Sequence, residues 1–351
     1  MFCPTVIPIS DRSLIGEARR ATVRKCATAQ FSETDQGRAA IIATELATNL
    51  LHHAQNGRLI VQVVPTADGL AVDFLSIDSG PGIANVDKSL RDGFSTAGTS
   101  GNGLGAVRRL SSEFDVFSQL QCGTIVFARL LASKQVMSDP GVALADPSSR
   151  DLDPAAPVWG GISIPVRGED VCGDTWRVGS RGDQLAIMVA DGLGHGPLAE
   201  EASSKAAETF GSEPTALPGV FLRKAHQSLA GTRGAAIAMA RVDLRERLVK
   251  YAGIGNISGS LFCGMDGRGM FSHNGIVGVQ MRSVQDFDYP IPGPGLLIMH
   301  SDGLQTRWNV DSYPGLVLRH PMVIAGVLLR DFARGRDDVT VVVARWNSFK
   351  V

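Results

Sequence analysis

No Cys-x-x-Cys pair occurs in the 351 residues. The five cysteines (Cys3, Cys26, Cys122, Cys172 and Cys263) are scattered and odd in number. That excludes a thiolate zinc site and a disulfide framework, and leaves free thiols in a reducing compartment. No apolar run approaches the roughly 20 residues a membrane helix needs. The start, "MFCPTVIPISDRS", lacks the basic and then apolar stretch of a secretory signal. The expected location is therefore the cytoplasm, with no membrane partner. Long basic runs are also missing, and 34 Lys+Arg stand against 35 Asp+Glu for a net charge of −1. A nucleic-acid partner is not expected, because backbone binding needs a positive face. No internal repeat is visible. What is present is 44% hydrophobic and 20% charged residues, the composition of globular domains with real cores.

The length suggests two or three domains of about 100–200 residues. "SKQVMSDPGVALADPSSRDLDPAAP", from Ser133 to Pro157, has four prolines and little periodicity, which reads as a linker. The expected division is residues 1–132, a linker at 133–157, and residues 158–351. In the first part, Asp11 or Ser13 can cap a helix to about Ala29, and a second helix runs from about Thr34 to Ala54. Ile41, Ile42, Leu46 and Leu50 follow the helical period and are expected in a core. "RLIVQVVP" and "LAVDFLSID" read as strands whose incomplete alternation suggests cover by helices. A helix near Leu104–Phe114 and two closing strands follow. The second part reads as strands on both sides of two helices, near Leu198–Phe210 and Pro218–Leu229. A helix near His320–Phe332 and a last strand complete it. The class is α+β.

Three features of the first part carry chemistry. Glu45 and Asn49, spaced i, i+4, project from one face of the second helix. A carboxylate beside a carboxamide can hold hydrated Mg²⁺ and orient a nucleophile; a solvated polar stripe is the plainer reading of the pair alone. In "IDSGPGIA", Asp78 ends an apolar strand and precedes Gly80 and Gly82. Such an aspartate can accept a hydrogen bond from an amino-purine, and the glycines let backbone pass close to the base; an ordinary turn has the same letters. Gly101, Gly103 and Gly105 then open a helix, where backbone amides attract phosphate. The stretch "GFSTAGTSGNGLGAVRRL" lacks the Lys-Ser/Thr ending of a Walker A loop. His52 and His53 at the helix end read as cap or core histidines.

This order of motifs resembles the ATPase superfamily of gyrase, the 90 kDa heat-shock chaperone, histidine kinases and mismatch-repair proteins (GHKL), over about Pro4–Leu131. Within it, "ELATNLLHHA", "DSGPGI" and "DGFSTAGTSGNGLGAVRRL" are most similar to the serine protein kinases of bacterial sigma-factor partner switching. The resemblance implies an α/β sandwich that binds ATP with Mg²⁺. Asn49 would bind the ion, and Glu45 would be the base or the organiser of attack. Asp78 would contact adenine, in a pocket shaped by Gly80, Gly82 and Thr124. Gly101, Gly103 and Gly105 would face the phosphates.

In the second part, "CGDTW", "VADGLGHG", "HSDGLQTRW" and "RDDVTVVVAR" each set an aspartate at a strand edge or turn: Asp174, Asp191, Asp302 and Asp337, with Asp338 adjacent. One Asp-Gly is usually a β-turn. Four aspartates at successive strand ends suit hard divalent ions, and two ions sharing a carboxylate can ready a water for attack on phosphorus. The set resembles the metal-dependent type 2C serine/threonine phosphatases (PPM) in their sporulation-phosphatase branch, over about Val158–Trp346. This implies an αββα sandwich holding two Mn²⁺ or Mg²⁺. Asp191 would bridge the ions, Gly192 would offer its carbonyl, Asp302 and Asp337 would hold the first ion, and Asp174 would act on the second. Cys172 stands where many relatives have glycine. No arginine is evidently placed to clamp phosphate. His195 could serve as an acid if a proton-accepting partner positions it, although "GHG" is also a simple turn.

Together the resemblances imply a cytoplasmic switch protein that phosphorylates serine or threonine on an antagonist or scaffold protein and removes such phosphates. A sigma factor or a downstream phosphatase is a further partner they allow. Two alternatives stay open: a first part that binds ATP or a partner without transfer, or one that only sequesters a protein.

Overall fold

The structure is a computed structural model that describes residues 3–66, 68–90, 103–133, 157–264 and 266–347. Its internal contacts divide the chain into two compact units. One is Met1–Leu152 with Asp311–Arg330; the other is Asp153–Val310 with Asp331–Val351.

The first unit begins with β1 (Thr5–Pro8), α1 (Arg12–Thr28), α2 (Glu33–His53), β2 (Arg58–Thr66) and β3 (Gly69–Ile77). It continues with α3 (Val86–Ser89), α4 (Gly103–Leu110), β4 (Glu113–Gln119) and β5 (Gly123–Leu131). The five strands form one antiparallel sheet in the order β1-β2-β3-β5-β4. Asp11 caps α1 by accepting from the Ser13 amide at 2.8 Å. Ser32 caps α2 by accepting from the Asp35 amide at 3.1 Å. Such a cap satisfies one of the donors that a helix start leaves open. Buried Asp35 also accepts from the Ser133 amide and hydroxyl at 2.8 and 2.9 Å, which pins the chain just past β5 to the start of α2.

Ala18 and Cys26 of α1 and Ile42, Leu46 and Leu50 of α2 pack on Leu59, Val61, Val72, Phe74, Val126 and Ala128 of the sheet. Ile41, expected in this core, is 48% exposed. The buried stripe is Ile42–Leu46–Leu50, and Ile41 sits about 100° round the helix from Ile42, off that stripe. The expected helix near Leu104–Phe114 also ends earlier, at Leu110. Ser112 already donates its amide to the Arg129 carbonyl, so Phe114 belongs to β4.

The second unit contains β6 (Val158–Ile164), β7 (Asp174–Arg181), β8 (Gln184–Gly192), α5 (Pro197–Ser212), α6 (Pro218–Ser228) and β9 (Ala235–Asp243). It also contains β10 (Leu248–Ile254), β11 (Ser258–Cys263), β12 (Asp266–Met270), β13 (Phe287–Pro290), β14 (Gly295–His300) and β15 (Val339–Trp346). They make two antiparallel sheets, β13-β10-β9-β8-β7 and β12-β11-β14-β15-β6. The sheets meet where Trp159 and Trp176 pack edge to face at 5.8 Å. Helices α5 and α6 cover the first sheet, with Ala206, Phe210, Phe221 and Leu222 against Met188, Ile237 and Met239. Helices and antiparallel sheets make up both units, as the α+β reading expects.

Helix α7 (Pro321–Phe332) is buried at every position from Pro321 to Leu329, the signature of a helix apolar all round. Within the first unit it lies on the sheet: a Cβ at Gly326 would stand 2.7 Å from Ile125 Cγ2 and 3.2 Å from Leu75 Cδ1. Just before it, His320 stacks on Phe127 with ring centroids 4.3 Å apart. Asp115 accepts from the His320 amide at 2.6 Å, and Glu113 pairs with its Nε2 at 3.0 Å. Leu75, Ile125 and Phe127 face away from the α1/α2 core and are buried all the same. Cover on both faces is why β2 and β3 do not alternate. On that face Arg129 forms a bidentate pair with its cross-strand neighbour Asp73, at 2.6 and 2.9 Å.

Candidate functional sites

In the first unit, α2 presents Glu45 and Asn49, both half-buried, on one face. Gly103, the first residue of α4, stands directly against them. A Cβ there would lie 2.9 Å from Glu45 Oε2 and 3.4 Å from Asn49 Oδ1, so any larger residue would press the Glu45 carboxylate to move. Gly105, two residues further along, is buried. Asn49 Nδ2 is buried without a hydrogen-bond partner, and such orphans are rare in native structures unless a ligand or water completes them. A carboxamide with a free group, a carboxylate and a glycine helix start make a donor set that fits ATP with Mg²⁺. Gly101 lies outside the described residues.

Asp78 follows β3, donates its amide to the Thr124 carbonyl at 3.0 Å, and accepts from the Gly80 amide at 2.7 Å. Burial raises its carboxyl above the ordinary range, against the lowering pull of the Gly80 and Thr124 amides and of Arg330 and His53. Gly123, at φ +101°, brings its backbone onto the Asp78 carbonyl, where any side chain would collide. A Cβ at Gly82 would likewise meet the Gln119 carbonyl. Buried Thr124 shares a hydrogen bond with Ser118 at 2.9 Å, and Ser118 accepts from the Ile83 amide at 2.7 Å. The turn after Asp78 is thereby tied to the last hairpin. A 510 Å³ cavity in this unit, lined by Asn85, Leu90, Arg108, Phe114, Asp115 and Arg319, includes none of these residues. His52 and His53 are exposed at the end of α2 and are not core residues; their place at the helix C-terminus is the one its dipole favours.

In the second unit, Asp174 opens β7 and lies directly opposite Asp191 of β8. Asp302 follows β14, and Asp337 and Asp338 precede β15, its hydrogen-bonded neighbour. Asp191 is pushed far above the carboxylate range, by burial first and then by the charges of Asp174, Asp302, Asp337 and Asp338. Asp174 is also raised, chiefly by burial and despite hydrogen bonds from Ser301 and Thr340. Its Oδ2 is buried without a partner. Among the described residues no three acidic or histidine side chains form a ready coordination cluster. The fit to divalent ions rests on the all-oxygen donor set, the mutual repulsion of its members and the orphaned oxygen of Asp174. Gly192 donates its amide to the Gly173 carbonyl at 3.1 Å, which holds the loop beside Asp191.

Five further side chains take part: Asp338, which the sequence reading noted only as the neighbour of Asp337, and Asn256, Glu169, Arg334 and Arg336, which it missed. Asp338 accepts from the Val166 and Gly173 amides, both at 2.6 Å, and so fixes the approach to Asp174. Asn256 donates to Asp302 Oδ2 at 2.7 Å. Glu169 lies 2.7 Å from His195 Nδ1, which supplies the positioned carboxylate that an acid role for His195 requires. Arg334 and Arg336 line a 410 Å³ cavity with Asp302 and Asp337. Asp338 was visible as the second half of "DD"; nothing local in the sequence marked the other four.

Comparison with known proteins divides the chain in sequence order, so residues 311–330, which belong to the first compact unit, fall inside the second match. Residues 10–129 match the histidine kinase-like ATPase domain family, and residues 181–347 match the Stage II sporulation protein E (SpoIIE) family. Over 98 residues the chain is 36% identical to the serine/threonine-protein kinase RsbT of Bacillus subtilis (strain 168), covering 28% of this chain and 74% of that kinase. Over 93 residues it is 29% identical to the phosphoserine phosphatase RsbX of the same organism. That match covers 26% of this chain and 45% of RsbX, so the chain spans less than half of this relative. A solved structure from work on the bacterial stressosome, as a modular system adapted to control secondary messenger signalling, superposes with a TM-score of 0.50. It is 29% identical and covers 54% of this chain and 100% of its own. No helix among the described residues is long and apolar enough to cross a membrane. Through its first part the chain belongs to the histidine kinase-like ATPase family that includes serine/threonine-protein kinases, and it joins that domain to a SpoIIE-type, PPM-class serine/threonine phosphatase domain.

Proposed function

We propose that the chain is a bifunctional regulator of a bacterial partner-switching pathway, working in the cytoplasm. Its first domain transfers phosphate from ATP to serine or threonine on an antagonist or scaffold protein. Its second removes phosphate from phosphoserine or phosphothreonine. The observation that carries this reading is one buried polar atom left open in each site: Asn49 Nδ2 in the first and Asp174 Oδ2 in the second. The first is a donor suited to an anion, the second an acceptor suited to a cation.

In the first site Asn49 would hold Mg²⁺, and Glu45 would take or orient the hydroxyl proton of the substrate. The start of α4 at Gly103 and Gly105, with Gly101, would cradle the phosphates, while Asp78, Gly80, Gly82 and Thr124 would form the adenine end. Phosphoryl transfer asks mainly for positioning and charge neutralisation, which these groups can give. In the second site Asp191 and the Gly192 carbonyl, with Asp302, Asp337 and Asp174, would hold two Mn²⁺ or Mg²⁺. Bound there, the ions would supply a nucleophile from water and polarise the phosphoryl group. His195, oriented by Glu169, is suited to hand a proton to the departing serine oxygen.

The test is incubation with γ-labelled ATP and candidate antagonist domains, comparing wild type with Glu45→Ala and Asp191→Ala. Label transfer should need Glu45, and Mn²⁺-dependent release should need Asp191. Transfer unchanged by Glu45→Ala would refute the catalytic role given to Glu45, and release unchanged by Asp191→Ala would refute the two-metal assignment. ATP-dependent thermal stabilisation with no turnover would instead mark a first domain that only binds.

A further inference from the structure

The acidic site carries an electrostatic problem. Asp174, Asp191, Asp302, Asp337 and Asp338 crowd one end of the second unit, and the substrate brings a phosphate of up to two further negative charges. Two divalent ions offset much of this, yet they do not tell phosphate from any other anion. Recognition of phosphate calls for a planar, multi-donor cation, and arginine has that geometry.

The loop between α7 and β15, "ARGRDD", meets this need. Arg334 and Arg336 flank Gly335, whose φ of +68° turns the chain sharply. Both side chains line the cavity whose other walls are Asp302, Gln305, Ala333 and Asp337. The loop is held from behind by backbone bonds, and at its far end by the Asp338 side chain. The Arg334 amide donates to the Gly303 carbonyl at 2.8 Å, and the Gln305 amide donates to the Phe332 carbonyl at 2.9 Å; Leu304 and Ala333 form an isolated bridge. The arginine and Asp302 loops therefore move as one piece. Both arginines are exposed, and neither guanidinium has a hydrogen-bond partner among the described residues. Arg334 is close enough to Asp302 for its charge to act on that carboxylate. Side chains with free forks, on a braced loop beside two proposed metal ligands, are poised for a ligand from outside the chain.

Resting on the phosphatase reading, we infer that Arg334 and Arg336 form the phosphate-recognition subsite of the second domain, and that they grip the phosphate monoester in the cavity shared with Asp302 and Asp337. The bland alternative is that the arginines only offset the carboxylates. The two differ in what they change: a subsite governs phosphate affinity, whereas a charge balance governs metal affinity.

The test uses the full chain loaded with Mn²⁺ and the variants Arg334→Ala, Arg336→Ala and Arg334→Lys. Inorganic phosphate binding is measured by calorimetry, and KM and kcat are measured on a phosphoserine protein. The alanine variants should bind phosphate about tenfold or more weakly, as expected for loss of a charged hydrogen bond. KM should rise in step and kcat should change little, with Arg334→Lys in between. Mn²⁺ affinity should stay the same or tighten. Exposed positions of this kind leave folding nearly untouched. Unchanged phosphate affinity in both alanine variants, or an effect confined to Mn²⁺ affinity, would overturn the subsite. Because phosphate binding is read directly, a wild-type chain that binds phosphate through these arginines yet dephosphorylates nothing would count against the phosphatase reading alone.

Discussion

The two sites solve opposite problems. In the first unit, the approach of Gly103 to Glu45 and Asn49 brings backbone and one orphaned donor beside the Glu45 carboxylate. In the second, five aspartates meet, and burial together with the charges of the other four raises Asp191. In the function proposed above, the first would cradle an anion and be limited by shape, and the second would hold cations and be limited by charge. A steric change should therefore damage the first, and a change of charge or pH the second.

The largest expected effect comes from Glu45→Gln, which keeps the shape and removes the base. Phosphotransfer should fall by about 10²–10⁴, while ATP affinity measured by calorimetry stays within a few-fold. Asp191→Asn should cut phosphate release by about 100-fold or more, beyond the usual cost of an outer partner, and leave label transfer intact. Smaller in size but more telling is Gly103→Val. Its side chain would run into Glu45 and Asn49, and ATP should bind about tenfold more weakly with Mn²⁺-dependent release unaffected.

A pH series sharpens the contrast further. Asp174 and Asp191 have carboxyls raised in the folded chain. Their contribution to stability is complete below the ordinary carboxylate pKa and is lost as pH rises through the raised values. The Tm of the metal-free chain should therefore drop by a few degrees on going from acid toward alkaline pH, and Mn²⁺ should restore more of it at high pH than at low. A metal-free Tm that rises with pH would contradict the crowding of these carboxylates.

The smallest effect belongs to Glu113. Burial opposes its charge, but the hydrogen bond to His320 and the guanidinium of Arg129 outweigh that and hold it at about 2. Its stabilisation is present above the ordinary glutamate pKa and fades as pH falls toward the folded value. Glu113→Gln should therefore flatten the acid end of the stability curve, read as Tm between pH 5 and 3.

Much of both sites was legible in the sequence because their chemistry is local. Glu45 and Asn49 announce themselves by helical spacing, and each Asp-Gly marks a strand end. What escaped depends on contacts between distant positions. Glu169 reaches His195 across 26 residues, and Arg334 and Arg336 gain meaning only beside Asp302. The short edge strands β12 and β13, "DGRGM" and "FDYP", carry too little pattern to stand out. Ile41 shows the opposite failure, where the helical period suggested a core that the geometry of α2 does not give it. The one local trace of α7 in the first unit was the broken alternation of β2 and β3, which signalled cover without saying what provided it.

That helix has a consequence for how the protein is made. The face formed by Leu75, Ile125 and Phe127 is synthesised early, but its cover ends at residue 330. At about 5–20 residues per second, the ribosome needs roughly 10–40 s to pass from β5 to the end of α7. During that interval the nascent first unit displays an apolar sheet face. Birth of the chain is thus a period in which a chaperone, or a helix from another molecule, can occupy the place that residues 311–330 later take.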